Sequence, residues 1–264
     1  MDRQRARSPR ERALANIEAL QALNRIENEP DREPDEAQLD ALRGYSGWGG
    51  CADAFGNKPE WADIAGEVER LLDPDEYAQA RSSTLTAFYT PGPVVASMWD
   101  VLERLGVGED EHTHVLEPGC GTGNFISTGP DRARMTGVEI DPVSARIAAA
   151  LNPTADIINA DLGECLIATD SYDAAVGNVP YSGDITMDYR LSDGGTARLP
   201  LHDYFIERAV DSLRPGGVAV LLTSRHTMDS ASKRPGPIWR ARPNSSAWCA
   251  CPPPRSDARP ARRP

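Results

Sequence analysis

The sequence has no long apolar run. Its longest uninterrupted apolar segments, 147–151 and 218–222, hold five residues each, whereas a membrane-spanning helix needs about 20. The chain starts with Met1-Asp2-Arg3 and continues with more charge, which is unlike the apolar segment of a secretory signal. From these absences we expect no membrane partner and a cytoplasmic location.

Cysteine is scarce as well. The five cysteines are odd in number and form no Cys-x-x-Cys pair, which argues against both a disulfide framework and a zinc site. Cys249 and Cys251 are the only close pair, and no further cysteine or histidine near them completes a ligand set. We therefore expect no bound metal.

Basic residues are fewer than acidic ones, at 28 against 40, for a net charge of −12. Such a balance ordinarily argues against a nucleic-acid partner. The charge is unevenly spread, however: residues 230–264 carry eight basic residues and one acid, so residues 1–229 alone carry −19. The two parts are chemically unlike, and the overall charge describes neither.

Residues 1–83 predict a helical N-terminal extension. Apolar side chains recur at every third position of its first helix, at Leu14, Ile17, Leu20, Leu23 and Ile26. This spacing is typical of one face of an amphipathic helix, and Pro30 and Pro34 end it. We interpret it as a packing or docking helix, followed by a turn-rich cluster at 45–50 and a mixed helical stretch at 61–72.

Residues 84–229 alternate between strand and helix patterns. The predicted strands are 113–117, 135–140, 156–159, 172–177 and 218–223. The predicted helices are 91–105, 142–151 and 201–213, with 124–133 a helix or a loop. Alternation of this kind predicts an α/β fold with a Rossmann-like, doubly wound parallel sheet.

Two acids and a glycine-rich loop follow the first three predicted strands. The loop reads Glu117-Pro118-Gly119-Cys120-Gly121-Thr122-Gly123, with glycine at alternate positions, so the backbone can turn sharply and approach a ligand. Glu139 ends the second strand, where a carboxylate can accept both hydroxyls of a ribose. Asp161 follows the third strand, where it can accept from the amine of an adenine. Together they predict a nucleoside pocket.

This arrangement resembles the cofactor site of class I S-adenosylmethionine-dependent methyltransferases. The Gly-x-Gly-x-Gly spacing differs from the Gly-x-Gly-x-x-Gly that holds a dinucleotide. The resemblance implies S-adenosyl-L-methionine as cofactor, bound by Glu117, Gly119, Gly121, Gly123, Glu139, Ile140 and Asp161. It also implies that Phe88 and Thr90, in the segment Thr86-Ala87-Phe88-Tyr89-Thr90-Pro91, cover the methionine end, as in the gamma-type motif order.

A second motif, Gly177-Asn178-Val179-Pro180-Tyr181, follows the fourth predicted strand. It resembles the Asn-Pro-Pro-Tyr motif of N6-adenine DNA methyltransferases, with Val179 in place of a proline. The resemblance implies that Asn178 and the main-chain carbonyl of Val179 accept the N–H bonds of an adenine amine, that Pro180 shapes the loop, and that Tyr181 stacks on the flipped base. Large methyltransferase–helicase proteins of phages and mobile elements carry a similar version.

Segments after this motif also resemble the family. Residues 201–206, 213–217 and 223–225 correspond to its next helix and fifth strand, and His202 is interpreted as a cap or packing residue. The implied partner is DNA with an adenine target, together with a helicase or recognition region of a parent polypeptide. Methylation of an RNA base or of a protein glutamine, and a non-catalytic module of a mobile-element protein, are the alternatives.

The C-terminal segment 230–264 breaks the alternating pattern. It contains eight prolines and seven arginines, and Ile238 is its only residue among isoleucine, leucine, valine and methionine, a composition that predicts disorder. Five clear strands also leave the expected sheet incomplete, with its last strand an open edge. We hypothesise that the residues from near Ser232 onward are encoded in a shifted reading frame and that the chain is a truncated piece of a larger methyltransferase.

Overall fold

The computed structural model describes residues 7–85, 90–181, 185–190, 195–223 and 246–250. The α-helices are α1 (Pro9–Asn28), α2 (Glu36–Arg43), α3 (Ala62–Leu71), α4 (Pro74–Ser82), α5 (Gly92–Arg104), α6 (Pro142–Leu151) and α7 (Leu201–Ser212). The strands are β1 (His114–Pro118), β2 (Arg134–Glu139), β3 (Asp156–Asn159), β4 (Tyr172–Asn178), β5 (Thr186–Arg190), β6 (Thr196–Pro200), β7 (Leu213–Leu222) and β8 (Ser246–Ala250).

The main sheet has the order β3-β2-β1-β4-β7-β8, and every neighbouring pair is parallel. The chain runs outward from β1 through β2 to β3 and then crosses back to β4 and β7 on the other side. The strand order therefore reverses between β1 and β4, the place where α/β sheets of this type hold ligands. All five predicted strands are present, which confirms the predicted fold class.

Three features of the strands differ from the predictions. A separate antiparallel hairpin, β5 and β6, was not predicted because its segments are largely polar and exposed, with Tyr189 their one buried residue. Strand β7 begins at Leu213, ahead of the Pro-Gly-Gly turn that was expected to precede it. Within the segment predicted to be disordered, Ser246–Ala250 pairs with β7; this run has neither proline nor charge.

The region 124–133, predicted as a helix or a loop, is mainly a loop with a short 3₁₀ helix, Ile126–Thr128. One helical prediction needs correction. In α1, Ile17, Leu20 and Leu23 are buried but Leu14 is 42% exposed. A strict three-residue spacing drifts around a helix of 3.6 residues per turn, so the first member of the series leaves the buried face.

Three apolar clusters hold the described residues together. One lies on the side of the sheet with α5, and a second lies with α7, including Ile206 and Val210. The third contains residues of the four helices α1, α2, α3 and α4, and these pack against Val143 and Ile147 of α6. The N-terminal extension is therefore packed onto the helix that directly follows β2.

The described part of the chain contains no helix that combines the length and apolar character needed to cross a bilayer. Across the same residues, no cluster of three or more histidine, cysteine or acidic side chains is arranged to hold a metal ion.

Candidate active site

A cavity of about 420 Å³ opens at the carboxyl ends of β1, β2 and β4. It brings together eleven of the thirteen residues predicted for the site: Thr90, Glu117, Gly119, Gly121, Glu139, Ile140, Asp161, Asn178, Val179, Pro180 and Tyr181. Phe88 lies outside the described residues. An adjoining cavity of about 490 Å³ shares Thr90 but contains none of the predicted acids.

The glycine-rich loop needs its glycines for two different reasons. Gly119 and Gly121 have φ angles of 75° and 56°, in the left-handed region, and line the cavity. Gly123 does not line it; a Cβ atom there would lie 2.7 Å from Nδ2 of Asn152 at the end of α6. Gly123 thus allows the loop to pack closely against α6, which is a different role from the predicted cofactor contact.

Glu139 connects the glycine-rich loop to the start of α6. Its Oε2 accepts from the backbone N–H of Gly121 at 2.8 Å, and its Oε1 accepts from that of Asp141 at 2.8 Å. Burial raises the pKa of Glu139, and these backbone hydrogen bonds lower it in part. Each oxygen keeps a further lone pair with which to accept from a ligand.

Asp161 lies at the same edge of the sheet, two residues after β3. Its Oδ1 accepts from the backbone N–H of Gly163 at 2.6 Å. A side chain on Gly163 would crowd this carboxylate, since a Cβ there would lie 3.1 Å from Oδ1. The local turn therefore holds Asp161 at the cavity.

Glu117, at the end of β1, is an unusual buried acid. It is 2% exposed, and its Oε2 has no hydrogen-bond partner. Burial raises the pKa of this carboxyl well above its ordinary value, the nearby charge of Glu139 raises it further, and a backbone hydrogen bond from Ile126 lowers it in part. A buried carboxylate oxygen without a donor is costly, so this atom is suited to receive a donor from a ligand.

The Asn-Val-Pro-Tyr segment leaves β4 beside the glycine-rich loop. The backbone N–H of Val179 donates to the carbonyl of Leu222 at 3.0 Å, which extends the pairing with β7. The hydroxyl of Tyr181 donates to Oδ1 of Asn178 at 2.6 Å. A Cβ on Gly119 would lie 4.0 Å from Cδ of Pro180, so the two predicted motifs meet in the cavity.

The charge of the cavity is one-sided. Glu117, Glu139, Asp141 and Asp161 line it, and no lysine, arginine or histidine is among the described residues that do so. Its remaining polar groups are mainly hydroxyls, amides and backbone atoms. An acidic cavity favours a cationic ligand and disfavours a phosphorylated one.

Sequence reasoning missed two walls of the cavity. The N-terminal extension contributes Tyr45, Gly47, Gln79, Ser82 and Ser83, and the hairpin and α7 contribute Met187, Leu201 and Phe205, among others. The turn-rich cluster at 45–50 was the one visible signal for the first wall. His202 does not line the cavity, and its Nε2 lies 3.6 Å from Oδ1 of Asp203.

Comparison with known proteins gives partial likenesses. The chain is 29% identical over 209 residues to defense against restriction protein B of Escherichia phage P1, covering 78% of this chain and 8% of that protein. It is 34% identical over 97 residues to the type II methyltransferase M.CvrRI of Paramecium bursaria Chlorella virus XZ-6E, covering 36% and 24%. The chain thus spans a small part of the length of both relatives. No protein-family model matches it.

Solved structures offer weaker likenesses. A Listeria monocytogenes protein aligns with a TM-score of 0.41 and 17% identity, over 77% of this chain and 72% of that one. An RNA methyltransferase of Salinibacter ruber in complex with S-adenosyl-L-homocysteine aligns with a TM-score of 0.28 and 22% identity, over 43% and 93%. At TM-scores below 0.5, these likenesses carry no argument about this chain.

Proposed function

We propose that the chain is the catalytic part of an S-adenosylmethionine-dependent methyltransferase acting on the N6 amine of adenine in DNA. The observation that carries the proposal is the acidic cavity where β1 and β4 diverge. Its four carboxyls and the absence of basic side chains among its described lining suit a nucleoside with positive charge and no phosphate. S-adenosylmethionine is such a nucleoside, with a sulfonium and an ammonium group.

The acids fit different parts of this cofactor. The free lone pairs of Glu139 are available to the two ribose hydroxyls, and Asp161 is placed to accept from the adenine amine. Glu117, whose Oε2 has no partner, would accept from the ammonium group of the methionine part. When bound, the cofactor supplies an electrophilic methyl group.

The residues after β4 would prepare the target nitrogen. An exocyclic amine is a poor nucleophile because its lone pair is delocalised into the ring. Oδ1 of Asn178 and the main-chain carbonyl of Val179 would accept its two N–H bonds, which orients the lone pair towards the cofactor. Tyr181 would stack on the flipped base, and Pro180 would limit the motion of the loop.

The sequence relatives support this class of reaction. One is named as a type II methyltransferase and the other as a protein of defence against restriction. Because this chain spans 8% of the phage protein, we place it within a larger polypeptide that also carries a helicase or target-recognition region. Val179, where the related motif has proline, is the feature that favours the alternative of a non-catalytic module.

Binding and transfer assays test the proposal. We expect the wild-type chain to bind S-adenosylmethionine in calorimetry and to transfer labelled methyl to adenine-containing DNA. Asn178→Ala should reduce transfer about 100-fold or more while the cofactor Kd changes less than threefold, and Asn28→Ala, an exposed asparagine in α1, should change neither.

Three results would contradict the proposal. Folded wild-type protein that binds no cofactor would show that this cavity is not a methyl-donor site. Binding accompanied by methyl transfer only to RNA or to protein glutamine would replace the DNA substrate with that alternative, and binding without transfer to any of these would favour the non-catalytic module.

A further inference from the structure

The N-terminal extension reaches the cavity through the loop at 45–50 and through the end of α4. Residues 45–50, Tyr-Ser-Gly-Trp-Gly-Gly, follow α2, and Tyr45 and Gly47 line the same cavity as the predicted cofactor residues. Gly47 and Gly50 have φ angles of 64° and 70°. Both conformations favour glycine, so this sequence adopts a tight path that side chains at these positions would strain.

A buried asparagine holds the loop in place. Asn16 in α1 is fully buried; its Nδ2 donates to the carbonyl of Gly47 at 2.8 Å, and its Oδ1 accepts from the backbone N–H of Ser46 at 2.9 Å. The amide therefore makes two hydrogen bonds to adjacent residues of the loop. Such a pair fixes both the position and the orientation of the backbone.

Two further contacts secure the far end of the loop. Nη1 of Arg12 donates to the carbonyl of Gly49 at 2.8 Å, and the backbone N–H of Gly50 donates to the carbonyl of Thr84 at 2.8 Å. Thr84 lies in the short 3₁₀ helix Ser83–Leu85 directly after α4, and Ser82 and Ser83 at this junction line the cavity. The loop and the end of α4 thus form one continuous wall.

The wall formed by loop 45–50 and the end of α4 is attached to α6, the helix that follows Glu139. Trp48 is 1% exposed and contacts Phe55 edge to face at 5.1 Å between ring centroids. Both belong to the apolar cluster that includes Val143 and Ile147 of α6. Because α6 starts directly after Glu139 and Asp141, the wall is anchored beside the part of the cavity where these acids lie.

We propose that loop 45–50 is a part of the cofactor site, closing it on the side of Glu139, and that Asn16 is its positioning residue. This inference rests on the proposed function. It assigns the N-terminal extension to ligand binding and replaces the interpretation of its first helix as a packing or docking element alone.

Cofactor binding by variants of the full 264-residue chain tests this assignment. We expect Asn16→Ala to weaken binding of S-adenosylmethionine and of S-adenosylhomocysteine at least tenfold. The control is Gln21→Ala, which removes another side-chain amide contact of α1, the 2.8 Å hydrogen bond to Glu67 of α3, away from the loop. Gln21→Ala should leave both Kd values within twofold of wild type.

A second variant covers the case in which Asn16→Ala does not fold. Gly47→Ala strains the loop where it faces the cavity, and we expect it to weaken both ligands at least fivefold in folded protein. Wild-type binding that persists in whichever of these variants folds would overturn the assignment while leaving the proposed function intact. Absence of binding by wild-type protein would instead overturn the proposed function.

Discussion

At the scale of single residues, burial of Glu117 should make the stability of the protein depend on pH. Burial holds its pKa in the folded protein well above the ordinary value, so the folded state binds the proton more tightly than the unfolded state does. The free energy of unfolding should then be greatest below the unfolded pKa of about 4.3 and fall as the pH rises through the folded pKa.

Glu117→Gln should remove this loss of stability at higher pH, because the amide carries no charge to desolvate. We expect the variant to unfold at a higher temperature than wild type at pH 8, by roughly 2–4 °C for each kcal/mol recovered, and at a similar temperature near pH 4. Its affinity for S-adenosylmethionine should fall about tenfold or more, since a charged hydrogen bond is lost. Calorimetric unfolding and binding at both pH values measure these effects.

Glu103→Gln, a change at an exposed position in α5, is the matched control and should alter neither quantity. A Glu117→Gln variant that is less stable than wild type at pH 8 would show that the carboxyl is stabilised in the folded protein. In that case its Oε2 would already have a donor.

Tyr181 contacts Asn178, the residue proposed to bind the target amine. Its hydroxyl donates to Oδ1 of Asn178, the atom proposed to accept from the adenine amine. Tyr181→Phe removes this competitor and keeps the ring, so we expect KM for DNA to stay equal or fall, and kcat to remain within about threefold. Tyr181→Ala should weaken DNA binding by about 1–3 kcal/mol because stacking is lost. Steady-state kinetics separate the two variants.

A phenylalanine variant as inactive as the alanine variant would contradict this interpretation. It would indicate that the hydroxyl itself takes part in the reaction.

The chemistry-bearing residues of the cavity were predictable because each follows a strand. Strand ends of a parallel sheet meet at one edge, so Glu117, Glu139 and Asp161 could be placed together from spacing alone. Tyr45 and Gly47 could not, because they come from a segment more than 60 residues before Glu117 with no strand to place it. Gly123 was assigned to the ligand, although its packing against Asn152 is visible only in three dimensions.

At the scale of elements, α6 joins the N-terminal extension to the sheet. Ile147 is fully buried in the cluster shared with α1 and α3, whereas Arg146 makes partly exposed ion pairs with Glu27 and Glu76. We expect Ile147→Ala to reduce the free energy of unfolding by about 2–5 kcal/mol. Arg146→Ala should reduce it by about 1 kcal/mol or less. Urea denaturation of both variants gives the comparison.

Equal effects of the two substitutions would mean that the ion pairs contribute as much as apolar packing to attaching the extension. The attachment of the extension, which forms one wall of the cavity, would then weaken with added salt. Attachment by apolar packing predicts no such dependence on salt.

Elements with clear boundary residues were predicted closely, and the others were not. Strand β3 and helix α6 coincide with their predicted ranges, because Asn159 ends the strand and Pro142 begins the helix. The hairpin β5–β6 was missed, since alternation in a largely exposed ribbon leaves little contrast between its faces. Strand β8 was missed because five uncharged residues are hidden in a segment dominated by proline and arginine.

At the scale of the whole molecule, the charge is divided between an acidic body and a basic C-terminal segment. The acids of the body include the four that line the cavity, so the proposed function assigns part of its charge to cofactor binding. The surface that would hold DNA is expected from the remainder of a larger polypeptide. The acidity of this chain is therefore compatible with a DNA substrate.

Strand β8 forms the edge of the main sheet beside β7. Strand β8 pairs with β7 along five residues, from Val218 with Ser246 to Leu222 with Ala250. Without β8, β7 presents unpaired backbone groups and the apolar run 218–222, and such edges associate with one another.

We expect a chain truncated after Asp229 to form dimers and larger species that increase with concentration. A chain truncated after Ala250 keeps the pairing and should self-associate less. Sedimentation velocity at several concentrations distinguishes them. Equal behaviour of the two chains would show that β8 does not protect this edge, and would support the hypothesis that the segment after Ser232 is foreign to the fold.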